Sequence, residues 1–326
     1  LCFNILANLI ISHRLGQEYP FLCTVKVTIQ DLIQRKFFVD VKNLLIHKLS
    51  YAVYSGCDVI VISSVLGLRT AGLVANYILL YDGVYKLLYK TLQGIVPSIA
   101  NLLHTADGEK SYRVYRMLDF VYFLIGGYVA CVYFIVLQPF VTLFFGADFL
   151  LEDAYVVALT CKVFLSMQFE NACNFRNTYG IFENDRGYLV LAAVMNLILS
   201  VILSHYLGLV GVMIGTIIGL WFITYSRVQF VFRVIFRRSM KKYLWNHAWW
   251  SVVVLLEVLL IDQILSAPFF SSTYMGLMVK CFCAGILMLG MQVIVFHRRE
   301  EFRSVCLYIG EVRDILMSKI QGRKSQ

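Results

Sequence analysis

The sequence predicts an all-α integral membrane protein, a polytopic bundle of about eight transmembrane helices. Of its 326 residues, 60% are hydrophobic and only 15% are charged, whereas soluble domains carry about 45–50% apolar and about 25% charged residues. The mean hydropathy is +0.73, and the apolar stretches lack the alternating segments of about ten residues that mark membrane β-strands. These observations exclude a soluble enzyme, a small disulfide-bonded scaffold and a disordered chain.

Each predicted helix is a stretch of about 20 mainly apolar residues, the length that crosses the hydrocarbon core of a bilayer. The predicted spans are residues 44–66, 71–95, 117–138, 152–175, 187–207, 209–234, 248–266 and 273–297. Ahead of them, Leu1 opens an apolar segment that lacks the features of a signal peptide. We therefore expect that this first helix begins before Leu1.

The tail after residue 298 has apolar residues at three- and four-residue spacing, with basic residues between them. The apolar positions are Phe302, Val305, Ile309, Val312, Leu316 and Ile320. This pattern indicates either an amphipathic helix on the inner leaflet or an ordinary solvated C-terminal helix.

The net charge of +9, from 29 Lys and Arg against 20 Asp and Glu, predicts the orientation of the bundle. The basic residues concentrate in alternate loops, and cytoplasmic loops are the ones enriched in Lys and Arg. All basic loops are therefore assigned to the cytoplasmic face. In a membrane protein this charge predicts contact with anionic membrane lipids and no nucleic-acid partner. The nine cysteines lack the spacing of a zinc site, so no metal site is predicted.

Polar side chains recur on one face of the first full span. His47, Tyr51, Tyr54 and Asp58 are spaced by three or four residues, which puts them on one side of a helix. A helix that contacts lipid alone needs no such face, so the pattern favours a helix that lines a hydrated cavity. The alternative is a polar stripe whose hydrogen bonds are made by a neighbouring helix.

Two further spans carry charged residues. Asp82 and Lys86 are spaced i,i+4 with the acid first, the favourable order for an ion pair within a helix. The ammonium group of Lys86 is also suited to binding a phosphate. The fourth span ends with Glu170, Asn174 and Arg176 near the predicted inner surface.

The fifth and sixth spans contain residues suited to close helix packing. Asn196 lies near the middle of the fifth span and is predicted to form a hydrogen bond with a neighbouring helix. Gly208, Gly211 and Gly215 predict a tight turn followed by a face of small residues.

The last two spans contain charges of opposite sign. Asp262 and Lys280 each lie about 10 Å below the outer surface when the helices are counted at 1.5 Å per residue. Because a charge in hydrocarbon needs a partner, they are predicted to form an ion pair.

Four segments carry motifs with a defined order: SGCDVIVISSVLGLRTAGLVANYILL (55–80), FFGADFL (144–150), RNTYGIFENDRGY (176–188) and NLILSVILSHYLGLVGVMIGT (196–216). The first contains Asp58, the Gly67-Leu68 turn and the Asn76-Tyr77 pair. The others contribute Arg176, Gly180, Asp185-Arg186, Asn196-Leu197, Gly208, Gly211 and Gly215-Thr216. In these motifs the chain resembles the polysaccharide or O-antigen flippases of the multidrug/oligosaccharidyl-lipid/polysaccharide exporter superfamily.

The resemblance implies a fold of two six-helix lobes that opens alternately to either side of the membrane. It makes residues 44–236 the second six-helix lobe of this MATE-like fold and residues 237–297 two additional transmembrane helices. Residues 1–43 are then the end of a truncated transmembrane helix and a cytoplasmic linker. Residues 298–326 are an amphipathic cytoplasmic tail.

The function that the resemblance implies is transport without covalent chemistry, so no enzyme activity and no cofactor is expected. The substrate would be an undecaprenyl-diphosphate-linked oligosaccharide, translocated by alternating access across the bacterial cytoplasmic membrane for polysaccharide biosynthesis at the cell envelope. Partners would be this lipid-linked oligosaccharide, membrane lipids and polysaccharide-assembly proteins.

Ten polar residues are candidates for binding this substrate in a cavity. They are His47, Tyr51, Asp58, Asn76, Tyr77, Asp82, Lys86, Glu170, Asn174 and Arg176. Lys86 and Arg176 would receive phosphate, and the Asn and Tyr side chains would contact sugar hydroxyls. Asp58 and Asp82 are the candidates for coupling transport to protons or Na⁺.

Two alternatives remain open. One is a cation-coupled multidrug exporter of the same fold, although a lysine in the cavity argues against cationic substrates. The other is a membrane enzyme of polysaccharide assembly, such as a polymerase, a ligase or a glycosyltransferase. A glycosyltransferase needs an interfacial carboxylate cluster, for which Glu183 and Asp185 are the candidates.

Overall fold

A computed structural model of the chain describes residues 2–20, 37–168, 170–179, 186–267, 273–310 and 313. These residues are helical apart from short turns, and no β-strand occurs among them. The described chain divides into two compact units, Leu1–Lys48 and Leu49–Gln326. The prediction of an all-α protein is confirmed for this part of the chain.

The helices follow one another with short connections. The first unit contains α1 (Cys2–Glu18) and the start of α2 (Phe37–Val61), which continues into the second unit as a π-helical turn (Ile62–Leu66). Next come α3 (Leu68–Gln93), α4 (Val96–Thr105), α5 (Gly108–Phe144), a 3₁₀ turn (Ala147–Phe149), α6 (Asp153–Gln168) and α7 (Glu170–Tyr179). The last are α8 (Arg186–Phe230) with a π-helical end (Val231–Ile235), α9 (Lys241–Ile264), α10 (Tyr274–Phe296) and a helical segment at 300–310.

Local sequence explains several helix boundaries. Asp107 caps α5, since its carboxylate accepts a hydrogen bond from the backbone N–H of Lys110 at 2.7 Å. The Thr273 hydroxyl accepts one from the Gly276 N–H at 3.0 Å at the start of α10. Gly67 separates the π-helical turn from α3 with φ +92°, a backbone conformation that favours glycine.

Five helices among the described residues are long and apolar enough to cross a membrane. They span 48–66, 108–144, 187–235, 241–264 and 274–296. The predicted spans 187–207 and 209–234 both lie within the third of these, and the predicted span 152–175 is divided between α6 and α7. The predicted span 71–95 coincides with α3, which is not among the five. The multi-pass helical architecture is supported, and the number of eight spans stays a prediction.

Helix α8 is a hairpin of two arms, 186–207 and 209–230, that fold back on each other at Gly208. This residue has φ 58° and ψ −133°, which breaks the helix within an otherwise continuous element. Facing residues step backwards along the first arm as they advance along the second, so the arms are antiparallel. The facing pairs are Gly211 with Leu203, Gly215 with Ser200, and Gly219 with Asn196. The predicted turn and small-residue face are confirmed.

Helix α5 is the centre of the second unit and packs against α6, α7, α9 and α10. On one side, Tyr133 of α5 joins Tyr77 of α3 and Tyr155 of α6 in one hydrophobic cluster. On the other side, aromatic rings of α5 meet those of α9 and α10, with 5.0 Å between the ring centroids of Phe123 and Trp250. The two helices predicted as additional spans are thus fixed to the main bundle through α5.

The helical segment 300–310 also packs on α5. The carboxylate of Glu301 is buried and forms an ion pair with Arg116. Phe302 lies against the aromatic cluster, with its ring centroid 6.4 Å from that of Phe120. The start of the predicted tail therefore contacts the bundle directly, while Val312, Leu316 and Ile320 lie outside the described residues.

Several other predictions fall outside the part that the structure describes. These are the linker at 21–36, the motif residues Gly180 and Asp185, and the glycosyltransferase candidates Glu183 and Asp185. His47 and Tyr51 lie in α2, but their side chains are outside the described set.

Candidate functional site

A buried polar cluster lies in the second unit where α2, α6 and α8 meet. It consists of Asp58, Lys162, Asn196, Ser200 and Thr216, and we call it the Asp58 cluster. Asp58 is only 5% exposed. The Thr216 hydroxyl donates to its Oδ1 at 2.7 Å, and Lys162 Nζ lies 3.8 Å from its Oδ2. A buried carboxylate is thus held by one cation and one hydroxyl.

Lys162 provides the positive charge of the cluster from the middle of α6. Its side chain is 17% exposed, and its Nζ stands 4.9 Å from the centroid of the Tyr81 ring, within range of a cation–π contact. The sequence analysis did not select Lys162 as a candidate. A signal was present, because this lysine interrupts an otherwise apolar run in the predicted span 152–175.

Both arms of the α8 hairpin contribute neutral polar groups to the cluster. Asn196 Oδ1 accepts a hydrogen bond from the Ser200 hydroxyl at 2.9 Å. Asn196 Nδ2 lies 3.2 Å from Cys57 Sγ and 3.4 Å from the Tyr54 carbonyl oxygen, both on α2. The predicted hydrogen bond between Asn196 and a neighbouring helix is confirmed.

Tyr54 adds a second link between α2 and the hairpin. Its hydroxyl donates to the carbonyl oxygen of Thr216 at 2.8 Å, while the Thr216 side chain binds Asp58. The α2 face predicted from Tyr54 and Asp58 therefore points at a neighbouring helix and at the ammonium of Lys162. At these two residues the alternative, a polar stripe with partners on another helix, agrees with the observed contacts.

The chemistry available to the cluster is reversible charge pairing. An ammonium and a carboxylate at 3.8 Å can separate when a competing ion or substrate group offers either one a new partner. The surrounding hydroxyl and amide groups are able to accept or donate hydrogen bonds in both arrangements. Buried ionisable groups of this kind in membrane helices typically mark ion or substrate pathways.

The candidates on α3 lie elsewhere. Lys86 and Asp82 form the predicted ion pair at 2.7 Å, with side chains 66% and 41% exposed. Asn76 is partly exposed, and its Nδ2 lies 3.5 Å from the Gly72 carbonyl oxygen in the same helix. The predicted i,i+4 pair is confirmed, and a role for these residues in substrate binding stays a prediction.

Tyr77 of α3 is completely buried and ties two loops and helices together. Its hydroxyl donates to Gln138 Oε1 at 2.8 Å and accepts from the Leu151 N–H at 3.1 Å. Its ring meets that of Tyr155 edge to face. These contacts give Tyr77 a structural role in the described conformation.

The candidates on α7 are buried at a different level of the same unit. Asn174 accepts a hydrogen bond from Gln93 at 3.1 Å and donates to the Tyr122 hydroxyl at 2.9 Å. Glu170 and Arg176 are 8% and 3% exposed. The predicted candidates therefore occupy three places: the Asp58 cluster, the exposed pair on α3, and the buried face of α7.

Arg176 lines a cavity of about 330 Å³ between α7 and both ends of the α8 hairpin. Arg227 and Arg233, which the sequence analysis did not select, line the same cavity. We call this space the arginine cavity. None of its described lining residues is acidic.

Metal binding finds no support among the described residues, which contain no group of three His, Cys, Asp or Glu side chains able to hold an ion. Asp262 and Lys280 were predicted to pair, but no ion pair joins them among the described residues. Lys280 is buried and Asp262 partly buried. Equal depth in the membrane did not bring them within 4.0 Å.

No family model, no curated protein and no solved structure matches this chain. The resemblance to polysaccharide flippases therefore rests on the sequence motifs alone, and the function is argued from the site.

Proposed function

We propose that this protein is a polysaccharide transporter that translocates an undecaprenyl-diphosphate-linked oligosaccharide across the bacterial cytoplasmic membrane by alternating access. It binds and moves its substrate and makes or breaks no covalent bond. The motifs around Asp58, Arg176 and Asn196 give the family, and the buried Asp58 cluster gives the physical basis.

The observation that carries the proposal is the Asp58–Lys162 pair inside an apolar helical unit. Burying two charges costs several kcal/mol each, about what their attraction returns, so a pair of apolar residues would serve stability as well or better. A transporter has a reason to retain them, because charges that exchange partners respond to a bound ion or substrate. Asp58 is accordingly the stronger of the two predicted ion-coupling residues, since Asp82 is exposed and bound to Lys86.

Anionic substrates fit the described charges better than cationic ones. Lys162 lies in the buried cluster, and the arginine cavity carries three guanidinium groups with no acidic side chain among its described lining residues. A multidrug exporter of cations would need acidic or aromatic groups to offset these charges. The phosphate groups of a lipid-linked oligosaccharide have the required negative charge.

The test is deletion of the gene and measurement of lipid-linked oligosaccharide in each leaflet. In spheroplasts, an added glycosidase that does not cross the membrane digests only the glycan exposed on the outside. We expect deletion to raise the protected fraction and the unaltered gene to restore the accessible fraction. Asp58→Asn and Lys162→Met are expected to fail to restore it at equal protein level in the membrane.

Asp148→Asn is the matched control, because Asp148 is an exposed carboxylate in the 3₁₀ turn. It is expected to restore the accessible fraction fully. A deletion strain with an unchanged distribution of lipid-linked oligosaccharide between the leaflets would overturn the proposed function.

A further inference from the structure

The arginine cavity is built by residues that are distant in sequence. Arg176 lies in the last turn of α7, Arg227 in the last turn of α8, and Arg233 in the π-helical end that follows. The cavity has a volume of about 330 Å³, at the lower end of the range of about 300–1,000 Å³ found for ligand pockets. It is large enough to hold a phosphate group with part of the molecule attached to it.

The three guanidinium groups form a gradient from the interior to the surface. Arg176 is 3% exposed, Arg227 is partly buried and Arg233 is exposed. Arg176 Nη1 donates to Asn177 Oδ1 at 2.6 Å, and Arg227 Nη1 donates to Cys173 Sγ at 3.1 Å. These contacts orient the inner two arginines with uncharged partners, which leaves their positive charge in place.

Neutral hydrogen-bonding groups and aromatic rings complete the lining. Ser226 and Gln229 supply a hydroxyl and an amide, and Tyr188 and Phe230 supply rings. Tyr188 is 44% exposed. Aromatic residues that are half exposed at helix ends are typical of the interface between the membrane and water.

Helix dipoles alone do not account for this arrangement. A basic residue in the last turn of a helix is stabilised by the partial negative charge there. That effect acts on each arginine separately and gives no reason for three of them to surround one cavity. Three like charges around a common space repel each other, so the arrangement favours an anionic ligand.

We propose that the arginine cavity binds a phosphate group, most naturally the headgroup of an anionic membrane lipid. Guanidinium groups bind phosphate oxygens through paired hydrogen bonds. Basic pockets between transmembrane helices on the cytoplasmic side recognise anionic headgroups in this way. The proposal does not depend on what the protein transports.

The test is calorimetric titration of the purified full chain in detergent with two probes. One is short-chain dioctanoyl phosphatidylglycerol, and the other is inorganic pyrophosphate. Arg233→Gln removes an exposed guanidinium without disturbing the interior, and Arg227→Lys keeps the charge of Arg227 but loses its two-pronged geometry. Arg298→Gln is the matched control, since Arg298 is an exposed arginine outside the cavity.

We expect saturable binding that Arg233→Gln and Arg227→Lys each weaken by about tenfold, the size of one lost charge-assisted hydrogen bond. Arg298→Gln is expected to change the affinity less than about twofold. Binding of phosphatidylglycerol alone assigns the site to a lipid headgroup, binding of pyrophosphate alone assigns it to a soluble phosphate, and binding of both supports recognition of the shared group. Absence of binding, or equal weakening by Arg298→Gln, overturns the proposal.

Discussion

The Asp58–Lys162 pair predicts strong coupling between two residues that are far apart in sequence. Asp58→Asn removes the negative charge but retains an oxygen that accepts the hydrogen bond from Thr216. Lys162→Met removes the positive charge and keeps a side chain of similar length. The double variant removes both charges and leaves no buried ion without a partner. These three proteins and the unaltered chain form a double-mutant cycle.

The expected magnitude follows from the distance and the burial. Two unit charges 3.8 Å apart attract by about 4 kcal/mol at an effective dielectric constant of about 20. Removing one partner of a buried pair costs about 3–5 kcal/mol, because the other charge stays buried without compensation. Replacing both partners removes that penalty as well as the attraction. We therefore expect each single variant to lose about 3 kcal/mol or more and the double variant to lose less than either.

Thermal unfolding of the purified protein in detergent measures these differences. For a chain of this length, 1 kcal/mol corresponds to a shift in Tm of about 2 °C, so each single variant is expected to unfold at least about 6 °C lower. Asp148→Asn, an exposed carboxylate, is the control and is expected to shift the Tm by about 1 °C or less. A double variant whose loss equals the sum of the two single losses would refute the coupling and the assigned pair.

Two further predictions concern packing and burial. Gly215→Ala is expected to destabilise the protein by about 1–3 kcal/mol, because the added Cβ would lie 2.6 Å from Ser200 Oγ; Gly290→Ala, with nothing within 4 Å of its Cβ, is the control, and an equal Tm for both variants would contradict the close packing of the hairpin. Glu257→Leu is expected to stabilise the protein by about 1–3 kcal/mol, since Glu257 is 2% exposed and neither carboxylate oxygen has a hydrogen-bond partner among the described residues. A lower Tm for Glu257→Leu would show that the carboxylate has a partner.

Contacts within one helix or across one turn could be predicted from the sequence. The Asp82–Lys86 pair follows from i,i+4 spacing. The hairpin follows from Gly208 as a breaker and from glycines at every fourth position after it. In both cases the relevant atoms are close in sequence, so helix geometry alone determines their separation.

Contacts between distant helices could not be predicted in the same way. The polar face of α2 was correctly recognised at Asp58, but its cationic partner Lys162 lies on α6. Asp262 and Lys280 show the opposite error, because counting residues gives the depth of a side chain and not its direction around the helix axis. The arginine cavity was recognised only at Arg176, since its other two arginines come from the end of a later helix.

The α8 hairpin has a consequence for the biogenesis of the protein. Its first arm carries Asn196 and Ser200, and these polar side chains would face hydrocarbon if that arm entered the bilayer alone. Ser200 binds the carbonyl oxygen of Val212 and Asn196 binds α2, so each arm satisfies groups of a neighbour. The translocon must therefore release the two arms as one unit after α2 is already in the membrane. The order of synthesis along the chain, with α2 first, meets this requirement.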